Sequence, residues 1–206
     1  MKRRLPRTVL LLGAGALTPA AVNHASARDA SQVVPIAAET GAALDRFAPH
    51  LGEYEGAMRV FTSQGDVAVE APIRWTIERA FFGREVRMEF AAVLDGGGVS
   101  EWLGLFGWNE DDDQYTTYWV NSRIRDAGYD LTEAQLFAER GTFDAEGRTL
   151  TLLSRHKTDL DGTMVEYRST FHFEDDGFVC IDEQFDAANE RWWTIVEFTL
   201  TRAGAD

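Results

Sequence analysis

The stretch Glu101-Trp102-Leu103-Gly104-Leu105-Phe106-Gly107-Trp108-Asn109, then Glu110-Asp111-Asp112-Asp113, then Gln114-Tyr115-Thr116-Thr117-Tyr118-Trp119-Val120-Asn121-Ser122 decides the architecture. Trp102 and Phe106 on one side of the acidic segment, and Tyr115 and Trp119 on the other, recur at alternating positions. A period of two is that of a strand with one buried face. Between the two runs, aspartates supply side chains that satisfy the amides of a tight turn. The acidic run lacks the glycine and the distal glutamate of a calcium loop, so it reads as a solvated turn joining two antiparallel strands.

The same alternation extends from Gly52 to the end of the chain. Turn chemistry interrupts it at Ser63-Gln64-Gly65-Asp66, Asp95-Gly96-Gly97-Gly98, Asp144-Ala145-Glu146-Gly147, Asp159-Leu160-Asp161-Gly162, Asp175-Asp176-Gly177 and Asp186 to Glu190. The spacing predicts about ten strands, near 54–62, 67–79, 84–94, 99–108, 114–122, 136–143, 148–157, 164–174, 178–185 and 191–202. Short sequential hairpins without intervening helices predict an all-β chain, a single antiparallel up-and-down barrel whose closure removes exposed edges. Ahead of it, Ala38 to Leu51 predicts a short helix, capped by Thr40, ended by Pro49 and plugging one end. The connection from Asn121 to Gln135 is the one long loop.

At 206 residues, 45% hydrophobic and 26% charged, the chain fits one globular domain. Lys2, Arg3, Arg4 and Arg7 precede an apolar stretch, and Ala25-Ser26-Ala27 follows. This is the pattern of a signal peptide over 1–27, cleaved after Ala27. The apolar stretch is too short for the roughly 20 residues of a bilayer span. The expectation is therefore a periplasmic or secreted protein with no membrane anchor, a leader and helix start over 28–43 and a barrel domain over 44–202. Cleavage removes four basic residues and moves the formal charge from −14 to −18, a surface that repels nucleic acid. Cys180 is the single cysteine, so no internal disulfide forms, and its apolar setting reads as a small core residue.

Leu51-Gly52-Glu53-Tyr54-Glu55-Gly56, the central hairpin quoted above, Gly141-Thr142-Phe143-Asp144, Gly147 to Leu152 and the run ending at Thr201-Arg202 together resemble the DUF1579 family. The family is of unknown function and is similar to nitrobindin-like and lipocalin-like (calycin) barrels. The resemblance implies a calycin-like fold in which Arg202 of the last strand packs across Tyr54 of the first. Tyr54 stands where the family pattern has tryptophan, and the glycine-rich opening of haem-binding nitrobindins is absent. No cofactor is expected.

No HxH or HExxH spacing supports a metal, no G-x-S-x-G run supports a serine nucleophile, and no glycine-rich loop leads into a helix to cradle phosphate. His156 and His172 read as surface histidines. The aromatics offer more: Trp75, Met88, Phe90, Trp102, Phe106, Trp119, Tyr167 and Trp193 alternate within their strands and are the expected ligand-binding wall, with a solid core as the competing reading. In the last strand either Trp192, Val196, Phe198 and Leu200 face inward, or Trp193, Ile195, Glu197 and Thr199 do. The second choice makes Glu197 a polar group in an apolar pocket. The expected function is the binding of a small, partly apolar molecule. An isomerase or hydrolase using carboxylates inside the barrel, and a structural or protein-binding barrel without a pocket, are the alternatives.

Overall fold

A computed structural model describes residues 38–95, 98–121, 136–157 and 164–204. The proposed signal peptide and leader, the Gly96-Gly97 pair, most of the long 121–135 connection and the 158–163 turn lie outside the described residues. Helix α1 (Ala38–Asp45) precedes ten strands: β1 (Gly52–Phe61), β2 (Val67–Ala80), β3 (Glu85–Val93), β4 (Val99–Asn109), β5 (Gln114–Asn121), β6 (Leu136–Phe143), β7 (Thr149–Lys157), β8 (Met164–Phe173), β9 (Gly177–Asp186) and β10 (Arg191–Arg202). Each strand pairs antiparallel with its chain neighbours, and β10 returns to β1, so the sheet closes as a barrel. Strand positions match those predicted within two residues at each end.

Closure is fastened at the β1–β10 seam, where Tyr54 lies opposite Arg202. The Arg202 guanidinium carbon sits 5.2 Å from the Tyr54 ring centre. The same group donates to the carbonyls of Leu51 and Pro49, each at 2.8 Å, and to the Tyr54 hydroxyl at 3.2 Å. The pair expected from the resemblance is therefore present, reinforced by three hydrogen bonds that hold the chain entering the barrel. Two glycines let neighbouring strands come close: a Cβ on Gly56 would lie 1.9 Å from the Thr199 carbonyl oxygen, and one on Gly141 would lie 1.7 Å from that of Thr151. Only glycine tolerates such contacts.

The plug is shorter than predicted. α1 stops at Asp45, and Pro49 falls inside a separate 3₁₀ turn, Ala48–His50. Thr40 lies within the helix rather than capping it, and its hydroxyl bonds Glu110 in the β4–β5 turn. Leu44 and Phe47 are fully buried. Phe47 meets Phe106, Tyr115 and Phe143 edge-on, with ring centres 5.1–5.6 Å apart, and the Tyr115 hydroxyl donates to the Ala43 carbonyl at 2.5 Å. The segment seals this end of the barrel by burying its aromatic side chain where a hole would otherwise remain.

The ambiguity of β10 resolves through a β-bulge. Val196 lies opposite Asp182, but Thr194 lies opposite Glu183, so Ile195 is an extra residue. An unpaired residue switches the face of everything beyond it. Val196, Phe198 and Leu200 face inward, and past the bulge it is Trp193, opposite Gln184, that joins them. Trp192 packs outside on Phe185, with the Arg168 guanidinium 4.5 Å above it. Neither single phase read from the sequence was complete.

Candidate functional site

The middle of the barrel is solid. Trp75 is buried at its centre, stacked on Phe90 at 4.5 Å and met edge-on by Phe171, Phe178 and Phe198. Met88, Phe106 and Trp119 are buried in the same cluster. These five of the expected wall residues form a packed core. Trp102, Tyr167 and Trp193 keep part of their surface accessible. Trp102 stacks on Phe90 at 5.7 Å, and its indole N–H donates to Ser100. Glu197 is corrected: it faces outward against Arg59 at 3.6 Å, because Phe198 on the same unbulged stretch is buried inside. It contributes no interior carboxylate.

The interior carboxylates come from elsewhere. β6 carries Glu139, opposite Thr117 of β5, and β9 carries Asp182, opposite Ser169 of β8. Glu139 is only 3% exposed. It accepts from the Trp119 indole N–H at 2.8 Å, the Ser169 hydroxyl at 3.0 Å and the Thr117 hydroxyl at 3.4 Å. Reaching from β6 to β8, the contact with Ser169 passes across β7. Asp182 receives the thiol of buried Cys180 at 3.8 Å and shares Ser169. Burial pushes the Glu139 carboxyl up to about 7, and the neighbouring Asp182 charge adds to this against the pull of its three donors. Burial likewise pushes Asp182 up to about 6, and it raises the Cys180 thiol, which rules out a reactive thiolate.

No cationic side chain among the described residues pairs with either carboxylate. Arg140 and Arg168, beside them in sequence or space, turn outward to Asp112 at 3.3 Å and Glu183 at 2.6 Å. A further polar atom on the inward face, the Ser154 hydroxyl of β7, is buried without a hydrogen-bond partner among the described residues. Ser154 lies opposite Tyr167 and one residue past the last β6–β7 pair, Arg140 and Leu153, which places it beside Glu139. Inward positions around this arc, Tyr167, Asp182, Gln184, Trp193 and Val196, all retain some exposure. Solvent therefore reaches the barrel end away from α1.

A groove of about 310 Å3 opens beside this end, between Trp193, Thr194 and the Phe61–Gly65 turn. Two wider grooves, of about 510 and 540 Å3, run along the outer wall: one over Thr76, Glu89, Ala91 and Leu103, the other around Trp108 and the acidic turn. These two are open troughs on the sheet surface; Glu197 lines the first groove beside Trp193, and Glu139 and Asp182 line none of the three. The acidic turn is held by its own bonds, Asn109 to Asp112 at 2.7 Å and the Asp111 amide to Asn109 at 3.1 Å. Among the described residues no group of three or more candidate metal ligands lies together. His172 lies on the exposed side of β8 near Thr149, and His50 stacks on Phe173 at 4.1 Å. The side chain of His156 lies outside the described residues.

Sequence reasoning missed Glu139, Ser169 and Asp182, although their parity was available. Glu139 shares the phase of Phe143 in its strand, and Asp182 shares that of Phe178 and Cys180.

Fold and site together define a closed ten-stranded antiparallel barrel, plugged at one end and carrying inside it two carboxylates that no cationic side chain among the described residues pairs. The chain belongs to DUF1579, a family of proteins of unknown function, whose model matches residues 40–202. No curated protein matches it. A crystal structure of a protein of unknown function from the DUF3598 family, from Nostoc punctiforme, aligns at 12% identity over 78% of this chain and 99% of that one, with a TM-score of 0.21.

Proposed function

We propose that this exported barrel binds a small, partly apolar molecule at the end away from α1, with the Glu139–Ser169–Asp182 cluster as its polar anchor and Trp102, Tyr167 and Trp193 as its apolar wall. One observation supports this above others: two desolvated carboxylates sit inside a barrel at the end where inward residues remain accessible. Stability does not account for them, since replacing buried ionisable groups with apolar ones of similar volume is commonly neutral or stabilising. Apolar sites that orient ligands are built from a few such convergent polar groups. Export rests on the charged start and the Ala-Ser-Ala site.

The test is titration of the mature chain with an apolar fluorescent probe, with mass spectrometry of whatever co-purifies. Saturable binding that Trp102→Ala or Glu139→Gln weakens, without unfolding, is expected. A barrel that binds no probe and carries no passenger would remove the reading. A second reading, an enzyme of isomerase or hydrolase type, draws on the same pair, because carboxyls near neutrality suit proton transfer. It requires turnover that Glu139→Gln abolishes.

A further inference from the structure

The polar groups inside the barrel can be counted. The Ser169 hydroxyl has one proton and stands between two carboxylates. When it donates to Glu139, at 3.0 Å, Asp182 keeps, among the described residues, only the weak thiol donor of Cys180 at 3.8 Å. Glu139 is served by three donors, so the shortage falls on Asp182. Next to Glu139, the Ser154 hydroxyl is buried and has no hydrogen-bond partner among the described residues. The site therefore holds spare acceptors, negative charge and no cationic side chain among the described residues. Buried charge left in this state is costly unless something pairs with it. Tyr167 and Trp193 share this inward arc, and aromatic rings attract cations at their faces; the formal charge of −14 raises the local concentration of cations at any opening.

We propose that the ligand is an organic cation, a primary ammonium group on an apolar body, whose nitrogen sits among Asp182, Glu139 and Ser154 while its body lies against Tyr167 and Trp193. An ammonium carries three donors and no acceptor, which matches the spare oxygens of these three side chains. A neutral alcohol has a single donor and leaves the charge uncompensated. A free inorganic cation satisfies the oxygens but has no apolar body to bury against the aromatic wall. This inference rests on the small-molecule reading above and specifies its ligand class.

The experiment compares benzylamine, benzyl alcohol and ammonium chloride by calorimetric titration of the mature chain, with the apolar probe run in parallel. Benzylamine should bind at least about tenfold more tightly than the alcohol, as charge-assisted bonds are roughly twice as strong as neutral ones. Asp182→Asn and Ser154→Ala should each weaken the amine several-fold and leave the alcohol unchanged, with thermal melts confirming that both variants fold. Equal binding of alcohol and amine, or equal binding of ammonium chloride and amine, overturns the organic-cation assignment while probe binding keeps the small-molecule reading intact. Binding of neither probe nor amine overturns both.

Discussion

The two ends of this barrel are built from the same strands by opposite rules. At the plugged end the inward residues Leu44, Phe47, Val86, Phe106, Tyr115, Leu150 and Phe178 are almost wholly excluded from water, and the polar atom of Tyr115 is spent on the plug itself. Further along β6 to β9, the inward residues are Glu139, Ser154, Ser169, Asp182 and Gln184, with exposure returning towards the rim. A single alternation thus runs from side chains chosen for packing to side chains that packing does not explain. The contrast separates what the fold needs from what it carries: the sealed end supplies stability, and the polar arc is maintained against a desolvation cost.

The largest expected effect breaks the comparison if it fails. Trp75→Ala should cost roughly 3 to 5 kcal/mol in a denaturant melt, because transfer and cavity terms add at a side chain ringed by five aromatics. Trp102→Ala should cost clearly less, about 1 to 2 kcal/mol, because accessible atoms have fewer packed neighbours to lose. Equal losses at the two tryptophans would mean that the rim is as solid as the centre, and the distinction between the ends would go.

The next effect comes from pH. Glu139 and Asp182 are acids held above their ordinary values, so the folded protein keeps protons that the unfolded chain has already released. Their contribution to stability is full below the unfolded values, near 4, is lost as pH rises through about 6 and 7, and changes no further above that. For Glu139 alone the loss is about 3 kcal/mol. The thermal midpoint should therefore fall between pH 5 and pH 8 by on the order of 5 to 10 °C for a chain of this size. Among the described residues, the other titratable group bonded to the pair is Cys180, which stays protonated over that range; Tyr167 lies on the same inward arc, and Arg140, Arg168 and Glu183 face outward. Repulsion among surface carboxylates also grows with pH, so Glu139→Gln is the control: it should flatten the fall by more than half. A variant with the unaltered pH slope would show that the buried carboxyl is not the source.

Much of the molecule was legible in the sequence. Alternation marked every strand, Gly- and Asp-rich turns marked the described hairpins except the β2–β3 connection at Phe81–Gly83, and sequential hairpins led to closure. The plug was harder to delimit, since Thr40 and Pro49 are good boundary residues whose positions were decided by the burial of Phe47 rather than by local preference. The interior carboxylates were passed over because the aromatics dominate the pattern: Trp75, Phe90, Phe106 and Trp119 fill the centre with Met88, and the acidic residues beside them were not weighed as inward although their parity made them so. The β10 bulge was hidden altogether, because Trp192 and Trp193 are equally apolar and only pairing against Gln184 and Phe185 tells them apart.

That bulge frames the smallest expected effect. Glu197 and Val196 are adjacent, so one of them must face the interior, and a sequence reading that takes Trp193 as inward and counts back by twos puts Glu197 there. The inserted Ile195 cancels the count: Glu197 meets Arg59 on the outside at 3.6 Å, with both side chains partly exposed. A solvent-screened pair of this kind contributes at most a few tenths of a kcal/mol, so Glu197→Ala should leave the denaturation midpoint nearly unchanged and the binding of probe or amine untouched. Val196→Glu, by contrast, would add a third carboxylate opposite Asp182 and should destabilise strongly, since like charges in a desolvated arc raise one another's cost. If Glu197→Ala instead abolished binding and Val196→Glu were tolerated, the strand would lie in the other phase, and the anchor of the site would have to be moved from Asp182 to Glu197.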